Sequence, residues 1–151
     1  MPQRPLIAIP AWNESGSVAD VVHHVRSALP QATVLVVNDG STDNTAEKAR
    51  QAGAVTLSLP FNVGVGGAMR TAFLYAEREG YDALVQVDAD GQHNPDEISA
   101  LLAGLEGSDI VVGTRFHPNS TYKVRGPRKW AMDLLSWSLS KMAKTPISDT
   151  T

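Results

Sequence analysis

Short, continuous apolar runs alternate with segments of helical periodicity along the chain. Runs of about five apolar residues are typical of strands that are buried on both faces of a parallel sheet. A helix between two such strands supplies the crossover that parallel pairing requires. The alternation therefore predicts an α/β protein with a doubly wound, mostly parallel sheet and helices on both faces. The predicted strands cover residues 6–9, 33–37, 54–59, 83–87 and 109–113.

Helical periodicity is clearest after the first and the fourth predicted strands. After the first strand, apolar residues recur at the spacing of one helix face, at Val18, Val21, Val22, Val25 and Leu29. After the fourth strand, Asn94 and Pro95 predict a helix start, with a capping side chain followed by proline at the first helical position. Beyond the fifth strand we predict a flexible loop over 114–128 and an amphipathic helix over 128–144.

Length and composition narrow the class of protein. A chain of 151 residues predicts one domain, residues 1–151. The absence of cysteine excludes disulfide frameworks, cysteine-ligated zinc, iron–sulfur clusters and thiol nucleophiles. The net charge of −3 gives no support for nucleic acid as a partner, and we predict none. Without a secretory signal or an apolar run near the ~20 residues of a membrane span, we expect a cytoplasmic protein.

Charge is unevenly distributed along the chain. Residues 115–144 hold seven of the 13 basic residues and one of the 16 acidic residues, so this segment carries +6 and the remainder carries −9. Such a basic segment is typical of contact with phosphates or lipid headgroups. A solvated charged surface without a partner is the alternative, and the charge count leaves both open.

Polar, acidic and glycine residues follow each predicted strand, at 10–14, 38–41, 62–67, 88–93 and 114–115. Ligands of doubly wound sheets bind beyond the carboxyl ends of the strands, so these residues form the expected site. The glycine pattern for nicotinamide or flavin dinucleotides is absent, because Met69 stands where the third glycine would be. The sequence also contains no P-loop and no recognisable serine–histidine–acid triad.

Asp88 and Asp90 are the strongest candidates for chemistry. In an extended chain, side chains two residues apart point to the same side, which would place both carboxylates together at a strand end. A divalent cation relieves their repulsion, and hard oxygen ligands favour Mg²⁺ or Mn²⁺ over zinc. Magnesium commonly completes its shell with substrate phosphates, so a metal-bound diphosphate is expected, with Gln92 or His93 as a further ligand. The alternative is that both aspartates only stabilise a turn at Gly91.

Four further positions have both a functional and a structural interpretation. Trp12 offers a stacking surface for a base or an ordinary packing side chain. Asp39 offers a ribose or base contact, or a turn in which it bonds its own backbone. Arg115 is placed to bind a phosphate, although an arginine at a strand end is ambiguous. The glycine-rich segment 62–67 allows close approach of a ligand to the backbone, or simply a sharp turn.

Five motifs occur in order: I-P-A-W-N-E at 9–14, V-V-N-D-G-S-T-D-N-T at 36–45, N-V-G-V-G-G-A at 62–68, V-D-A-D-G-Q-H at 87–93 and V-G-T-R at 112–115. Together they resemble the family 2 glycosyltransferases of the GT-A type, and within them the branch that makes polyprenyl- and dolichyl-phosphate sugars. Each motif alone is weak, but the ordered set covers nearly the whole chain. The resemblance implies a Rossmann-like fold that binds nucleotide sugars.

The resemblance also implies roles for individual residues. The family's positions for the donor nucleotide match, in this chain, Pro10, Trp12, Glu14, Val37, Asp39, Gly66, Asp88, Ala89, Asp90 and Arg115. Trp12 departs from the tyrosine that the family often has there. The implied site for Mg²⁺ or Mn²⁺ and the diphosphate comprises Asp88, Asp90 and Gln92, and we assign catalysis to Asp90 and Arg115.

The implied reaction is an inverting transfer of a sugar from a UDP- or GDP-type donor to a polyprenyl phosphate. A lipid phosphate is already ionised at neutral pH, so no strong general base is required. A saccharide or protein acceptor would need a catalytic carboxylate, for which only Asp149 suggests itself. A nucleotide-sugar-binding domain without transfer activity is the third hypothesis.

The same branch implies features of the C-terminal region. Its members continue into a segment with glycine, aromatic residues and a further arginine, so we expect this chain to be the N-terminal part of a longer protein. The predicted helix 128–144 carries Trp130 and Trp137 among basic residues and suits peripheral contact at the cytoplasmic face of a membrane. Packing of this helix on the sheet is the alternative.

Overall fold

The computed structural model describes residues 2–92 and 94–113. The chain divides into two compact units, Met1–Val111 and Val112–Thr151, and the helices and strands of the described residues belong to the first. The strands are β1 (Pro5–Ala11), β2 (Thr33–Asn38), β3 (Val55–Ser58) and β4 (Ala83–Gln86). The helices are α1 (Val18–Ala28), α2 (Thr45–Gln51), α3 (Gly64–Glu79) and α4 (Ile98–Gly104), the last preceded by a 3₁₀ turn at Pro95–Glu97.

Several predictions about the C-terminal region fall outside the described residues. These are the loop over 114–128, the helix over 128–144 and the extent of a single domain over 1–151, all of which stay predictions. Within the part that the structure describes, no helix has the length and apolar character needed to cross a bilayer.

The four strands pair in parallel, in the order β3-β2-β1-β4. β1 is central, since Ile7 lies opposite Val34 of β2 on one side and opposite Val85 of β4 on the other. Alternate residues of β1 and β2 then feed two hydrophobic clusters on opposite faces of the sheet.

One cluster joins Ile7 and Val34 to α1, α2 and α4. The other joins Leu6 and Leu35 to α3. α3 contributes mostly small side chains to it, namely Ala68, Met69, Ala72 and Ala76. Helices therefore cover both faces, and the predicted doubly wound α/β sheet is confirmed.

The prediction of a fifth strand over 109–113 is wrong, since these residues form no strand and pair with none of the described strands. Ile110 and Val112 are instead 80% and 81% exposed. An apolar run becomes a strand only where a neighbouring strand takes up its backbone hydrogen bonds. The apolar residues at 109–113 suit a strand, but the described part of the sheet offers this run no strand to pair with.

Gly40 allows the turn after β2 to pack directly against the loop after β3. Its φ of +67° lies in the left-handed region, which glycine adopts without strain. A Cβ at this position would lie 2.5 Å from the carbonyl carbon of Phe61 and 2.6 Å from the backbone nitrogen of Asn62. Both are main-chain atoms, so rotating a side chain would not relieve the clash. Gly40 therefore sets the distance between two loops at the carboxyl edge of the sheet.

Replacing Gly40 with alanine is expected to destabilise the protein by about 2–5 kcal/mol, because the left-handed conformation costs about 1–2 and overpacking about 1–3 kcal/mol. Gly16→Ala is the matched control, since nothing lies within 4 Å of a Cβ built there. Urea unfolding followed by circular dichroism measures both variants. Equal stabilities of the two variants would contradict the close approach at Gly40.

Hydrogen bonds join the loop after β1 to the loop after β2 and to α2. The backbone N–H of Glu14 donates to Thr45 Oγ1 at 2.8 Å, and Lys48 Nζ donates to the carbonyl oxygen of Ser15 at 2.7 Å. Asp43 accepts from the backbone N–H of Ser15 at 3.1 Å and from both the hydroxyl and the backbone N–H of Thr45. The bond from the Thr45 hydroxyl, with those from Ser15, lowers the pKa of Asp43 from 3.8 to about 2 against a smaller opposing effect of desolvation.

This pKa predicts how stability depends on pH. The unfolded chain has the ordinary value of 3.8 and the folded protein has about 2, so the Asp43 carboxylate stabilises the fold above about pH 4 and loses that effect as the pH falls toward 2. The difference in Tm between the wild type and Asp43→Ala is expected to be constant near neutral pH and to shrink over that acidic range. Asp109→Ala, at an exposed aspartate, is the control. A difference that stays constant down to pH 2 would contradict the assignment.

Candidate functional site

The central position of β1 creates the crevice in which a ligand site is expected. From β1 the chain crosses to β2 on one side, whereas β4 pairs with β1 on the other side. In open α/β sheets such a reversal of strand order leaves a crevice at the carboxyl ends of the two strands concerned, here β1 and β4. A cleft with a volume of about 740 Å³ lies at these strand ends.

The segments that follow all four strands contribute to this cleft. Its lining residues are Pro10, Ala11, Trp12, Glu14, Asp39, Asn62, Gly64, Val65, Ala68, Asp88, Ala89 and Asp90. The structure therefore brings together seven of the positions that the sequence marks as donor-binding: Pro10, Trp12, Glu14, Asp39, Asp88, Ala89 and Asp90.

Three of the remaining predicted positions are described and do not line the cleft, and two others are not described. The Val37 side chain is fully buried, at 0% exposure, in the cluster between the sheet and α3, so it does not reach the cleft. Gly66 and Gln92 are exposed and do not line the cleft. His93 and Arg115 lie outside the described residues. Contacts of these residues with a ligand stay predictions.

Asp88 and Asp90 reach the cleft from a turn. The expectation of an extended chain at this point is wrong in detail, because β4 ends at Gln86 and the backbone turns at Ala89 and Asp90. Gln86 Nε2 donates to Asp88 Oδ1 at 3.3 Å, and the backbone N–H of Gln92 donates to Asp90 Oδ1 at 2.9 Å. Ala89, between the two aspartates, is buried. Both acidic residues thus line one cleft, although not from a strand.

The charge of the cleft is strongly one-sided. Four of the described lining residues are acidic and none is basic; the acidic ones are Glu14, Asp39, Asp88 and Asp90. Like charges in one cleft repel one another and repel an anionic ligand. A phosphate-bearing ligand therefore needs a cation at this site, either a metal ion or a basic side chain from outside the described residues.

The aspartate pair has the chemistry of a partial metal site. Carboxylate oxygens are the ligands that Mg²⁺ and Mn²⁺ prefer, and Mg²⁺ usually takes one or two carboxylates together with water and substrate phosphates. Within the described ranges, no group of three or more histidine, cysteine, aspartate or glutamate side chains is arranged to hold a metal ion. The described residues thus fit a metal shared with a phosphate ligand and do not fit a closed protein cage.

Trp12 and Glu14 present one apolar and one acidic surface to the cleft. The Trp12 residue is 55% exposed, so the alternative that it packs in the core is wrong, and its ring is accessible for stacking. Glu14 Oε2 accepts from the Ser17 hydroxyl at 2.7 Å, which orients the carboxylate. The carbonyl oxygen of Glu14 accepts from the backbone N–H of Val18 at 2.9 Å, where α1 begins.

The first turn of α3 supplies further lining residues. Gly64 and Val65, within the predicted glycine-rich segment 62–67, line the cleft together with Ala68 just beyond it, whereas Gly66 does not. At 3.6 residues per turn, Gly66 lies about 200° around the helix from Gly64, whereas Ala68 lies within about 40° of it. Gly64 and Ala68 therefore share the side of α3 that lines the cleft, and Gly66 lies on the other side.

Comparison with known proteins gives the same family as the motifs. The family model described as Glycosyl transferase family 2 matches residues 6–149. Polyprenol monophosphomannose synthase of Mycolicibacterium smegmatis is 37% identical over 153 residues, which cover 95% of this chain and 54% of the relative. Undecaprenyl-phosphate mannosyltransferase of Micrococcus luteus is 37% identical over 120 residues, which cover 76% of this chain and 49% of the relative. The chain thus spans about half the length of these relatives.

Solved structures share the fold. Glucosyl-3-phosphoglycerate synthase of Mycobacterium tuberculosis, in complex with Mn²⁺, UDP-glucose and phosphoglyceric acid, matches with a TM-score of 0.60 at 22% identity over 71% of this chain and 40% of that chain. The same synthase in complex with Mg²⁺ and UDP matches with a TM-score of 0.57 at 22% identity, over 68% and 39%. At this identity the likeness shows the fold, which is that of GT-A glycosyltransferases. Since the family model matches nearly the whole sequence, the chain belongs to glycosyltransferase family 2.

Proposed function

We propose that this chain is the donor-binding part of a glycosyltransferase that moves a sugar from a nucleoside diphosphate to a polyprenyl phosphate. The observation that carries the proposal is the acidic cleft at the carboxyl ends of β1 and β4. Asp88 and Asp90 line it together with Trp12 and with Asp39, which comes from the turn after β2. The family supports the transfer of a sugar, and the names of the two relatives support a polyprenyl phosphate acceptor.

The chemistry of the lining residues indicates where each part of the donor binds in the cleft. The exposed Trp12 ring suits the base, and Pro10, two residues earlier, also lines the cleft, so we place the nucleoside there. The diphosphate belongs at Asp88 and Asp90 through Mg²⁺ or Mn²⁺, since the described lining residues offer no basic group for it. The structural neighbours that hold UDP or UDP-glucose with Mg²⁺ or Mn²⁺ support this arrangement.

The proposed reaction exchanges one carbon–oxygen bond for another. A phosphate oxygen of the acceptor bonds to the anomeric carbon on the face opposite the donor diphosphate. The bond from that carbon to the diphosphate breaks, its electron pair leaves with the nucleoside diphosphate, and the configuration inverts. A bound divalent cation supplies positive charge for the leaving diphosphate, and Asp88 and Asp90 are the residues that would hold it.

The acceptor's chemistry explains why the cleft needs no strong base. A polyprenyl phosphate oxygen is ionised at neutral pH, so no proton has to be removed before attack. We propose that Asp90 serves catalysis as a residue that would hold the cation, and that Arg115 contacts the same phosphates. A lipid acceptor also places the reaction at a membrane surface, and we propose the cytoplasmic face.

Removing the charge of the aspartate pair is expected to weaken metal-dependent nucleotide binding. Asp88→Asn and Asp90→Asn keep the side-chain size but remove the charge that attracts Mg²⁺ or Mn²⁺. Each is expected to lower the affinity for UDP or GDP in the presence of Mn²⁺ by about tenfold or more, which equals about 1.4 kcal/mol or more. Asp96→Asn, at an exposed aspartate of the 3₁₀ turn, is the control. Calorimetric titration that shows wild-type affinity in both cleft variants would overturn the metal assignment.

Transfer of a radiolabelled sugar tests the acceptor. The chain is incubated with a labelled UDP- or GDP-sugar, Mn²⁺ and undecaprenyl phosphate, and label is expected in the organic extract only when the lipid phosphate is present. Transfer of the label to an added saccharide or protein acceptor would contradict the lipid acceptor. Nucleotide binding with no transfer to any acceptor would limit this chain to binding the donor.

A further inference from the structure

Asp39 joins three segments that form the cleft. The residue is buried, with 3% exposure. Its Oδ1 accepts from the backbone N–H of Val63 and its Oδ2 from that of Gly64, each at 2.8 Å. Its own backbone N–H donates to the carbonyl oxygen of Ala11, also at 2.8 Å. One residue therefore ties the turn after β2 both to the end of β1 and to the start of α3.

The bonds that Asp39 accepts add to a local one, because Asn62 Oδ1 also accepts from the backbone N–H of Gly64, at 3.1 Å. Val63 occupies the N-cap position of α3 and makes no side-chain cap hydrogen bond. The first N–H groups of a helix have no partner within the helix and carry partial positive charge. Asp39, 24 residues before Val63, supplies both an acceptor and a negative charge. The N–H groups of Val63 and Gly64 are thus engaged by a protein carboxylate rather than open to a phosphate.

The segment that Asp39 holds is itself a wall of the cleft. Asn62, Gly64 and Val65 line the cleft together with Trp12. Gly64 has a φ of +80°, and a glycine is free to adopt many other conformations unless its surroundings fix one. Two hydrogen bonds donated to one buried carboxylate, with the bond from the Gly64 N–H to Asn62 Oδ1, fix this conformation. Gly40 complements these bonds. Because it lacks a Cβ, the turn after β2 lies close enough to the backbone of Phe61 and Asn62 for Asp39 to bond to α3.

We infer that Asp39 is a positioning residue of the nucleotide site, which acts on the ligand by holding the 62–65 segment in place. The identity of the ligand rests on the proposed function, whereas the contact between Asp39 and α3 does not. Each ionised carboxylate oxygen has a second lone pair, so a direct contact with the nucleotide is the competing role. The two roles make different predictions for variants that move the wall without changing the carboxylate.

Three variants and two measurements separate these roles. Asp39→Asn keeps the size of the side chain but removes one of its two acceptor oxygens, whereas Gly40→Ala disturbs the same approach with the carboxylate intact. Asp82→Asn is the matched control, because Asp82 also accepts from two backbone N–H groups, those of Gln3 at 2.6 Å and Arg4 at 2.9 Å, and does not line the cleft. Amide hydrogen exchange at residues 63 and 64 and calorimetric affinity for UDP and GDP with Mn²⁺ are measured where each variant is folded.

In Asp39→Asn, exchange at residues 63 and 64 is expected to accelerate by about tenfold or more, together with a similar loss of nucleotide affinity. Gly40→Ala is expected to reproduce the loss of affinity, and Asp82→Asn to leave it unchanged. If Asp39→Asn unfolds, Gly40→Ala alone decides between the two roles.

Lower affinity in Asp39→Asn with wild-type exchange, or wild-type affinity in Gly40→Ala, would overturn positioning in favour of direct contact. Accelerated exchange with unchanged affinity would leave Asp39 a structural role only and also overturn the inference. A wild type that binds neither nucleotide would overturn the proposed function and the nucleotide role together, while its exchange would still report whether Asp39 holds α3.

Discussion

The burial of β1 on both faces, and its pairing on both edges, is the constraint on which the rest of the structure depends. Leu6 to Ile9 are fully buried, and β1 pairs with β2 on one side and with β4 on the other. With parallel neighbours on opposite sides, the segments that follow the strands all emerge at the same edge of the sheet. The cleft is therefore a product of topology. Local sequence decides which side chains enter it.

The acidic residues of the cleft differ in whether their carboxylates also stabilise the surrounding loops. The carboxylate of Glu14 is oriented by Ser17, and that of Asp39 is bonded to the start of α3. These two therefore also serve the fold of the loops that carry them. Asp88 and Asp90 follow β4 directly and bring two carboxylates to the position where the proposed diphosphate lies. Because a diphosphate would meet net repulsion there, the proposed site requires a cation.

The spacing of apolar residues and the identity of turn residues predicted most of the fold, because both are local properties of the sequence. The strands and the α1 face were evident from runs such as 6–9 and from the spacing of Val18 and Val22, and Asn94 does cap the 3₁₀ turn that leads into α4. The prediction of a fifth strand was wrong because a strand forms only where a neighbouring strand pairs with it. The hydrogen bond from the Gly64 N–H to Asp39 was not predictable, because its partners lie 25 residues apart and meet only through the sheet.

In the candidate site, too, local features were predictable from the sequence and long-range packing was not. Positions directly after strands, such as Trp12 and Asp90, were predicted because strand ends are recognisable in the sequence and meet at one edge. Local sequence does not show that the Val37 side chain packs against α3, or that Gly66 lies on the other side of the helix from the lining residues Gly64 and Ala68. The motifs identified the family correctly, while burial decided which residues of each motif are accessible.

The proposed cleft chemistry requires that a nucleoside diphosphate binds only together with a divalent cation. Calorimetric titration of the folded chain with UDP and GDP, each with and without Mn²⁺, tests this requirement most directly. We expect binding of one nucleotide in the presence of Mn²⁺ and a loss of that binding when the metal is chelated. Equal affinity with and without metal, or no binding of either nucleotide under any of these conditions, would contradict the proposed site.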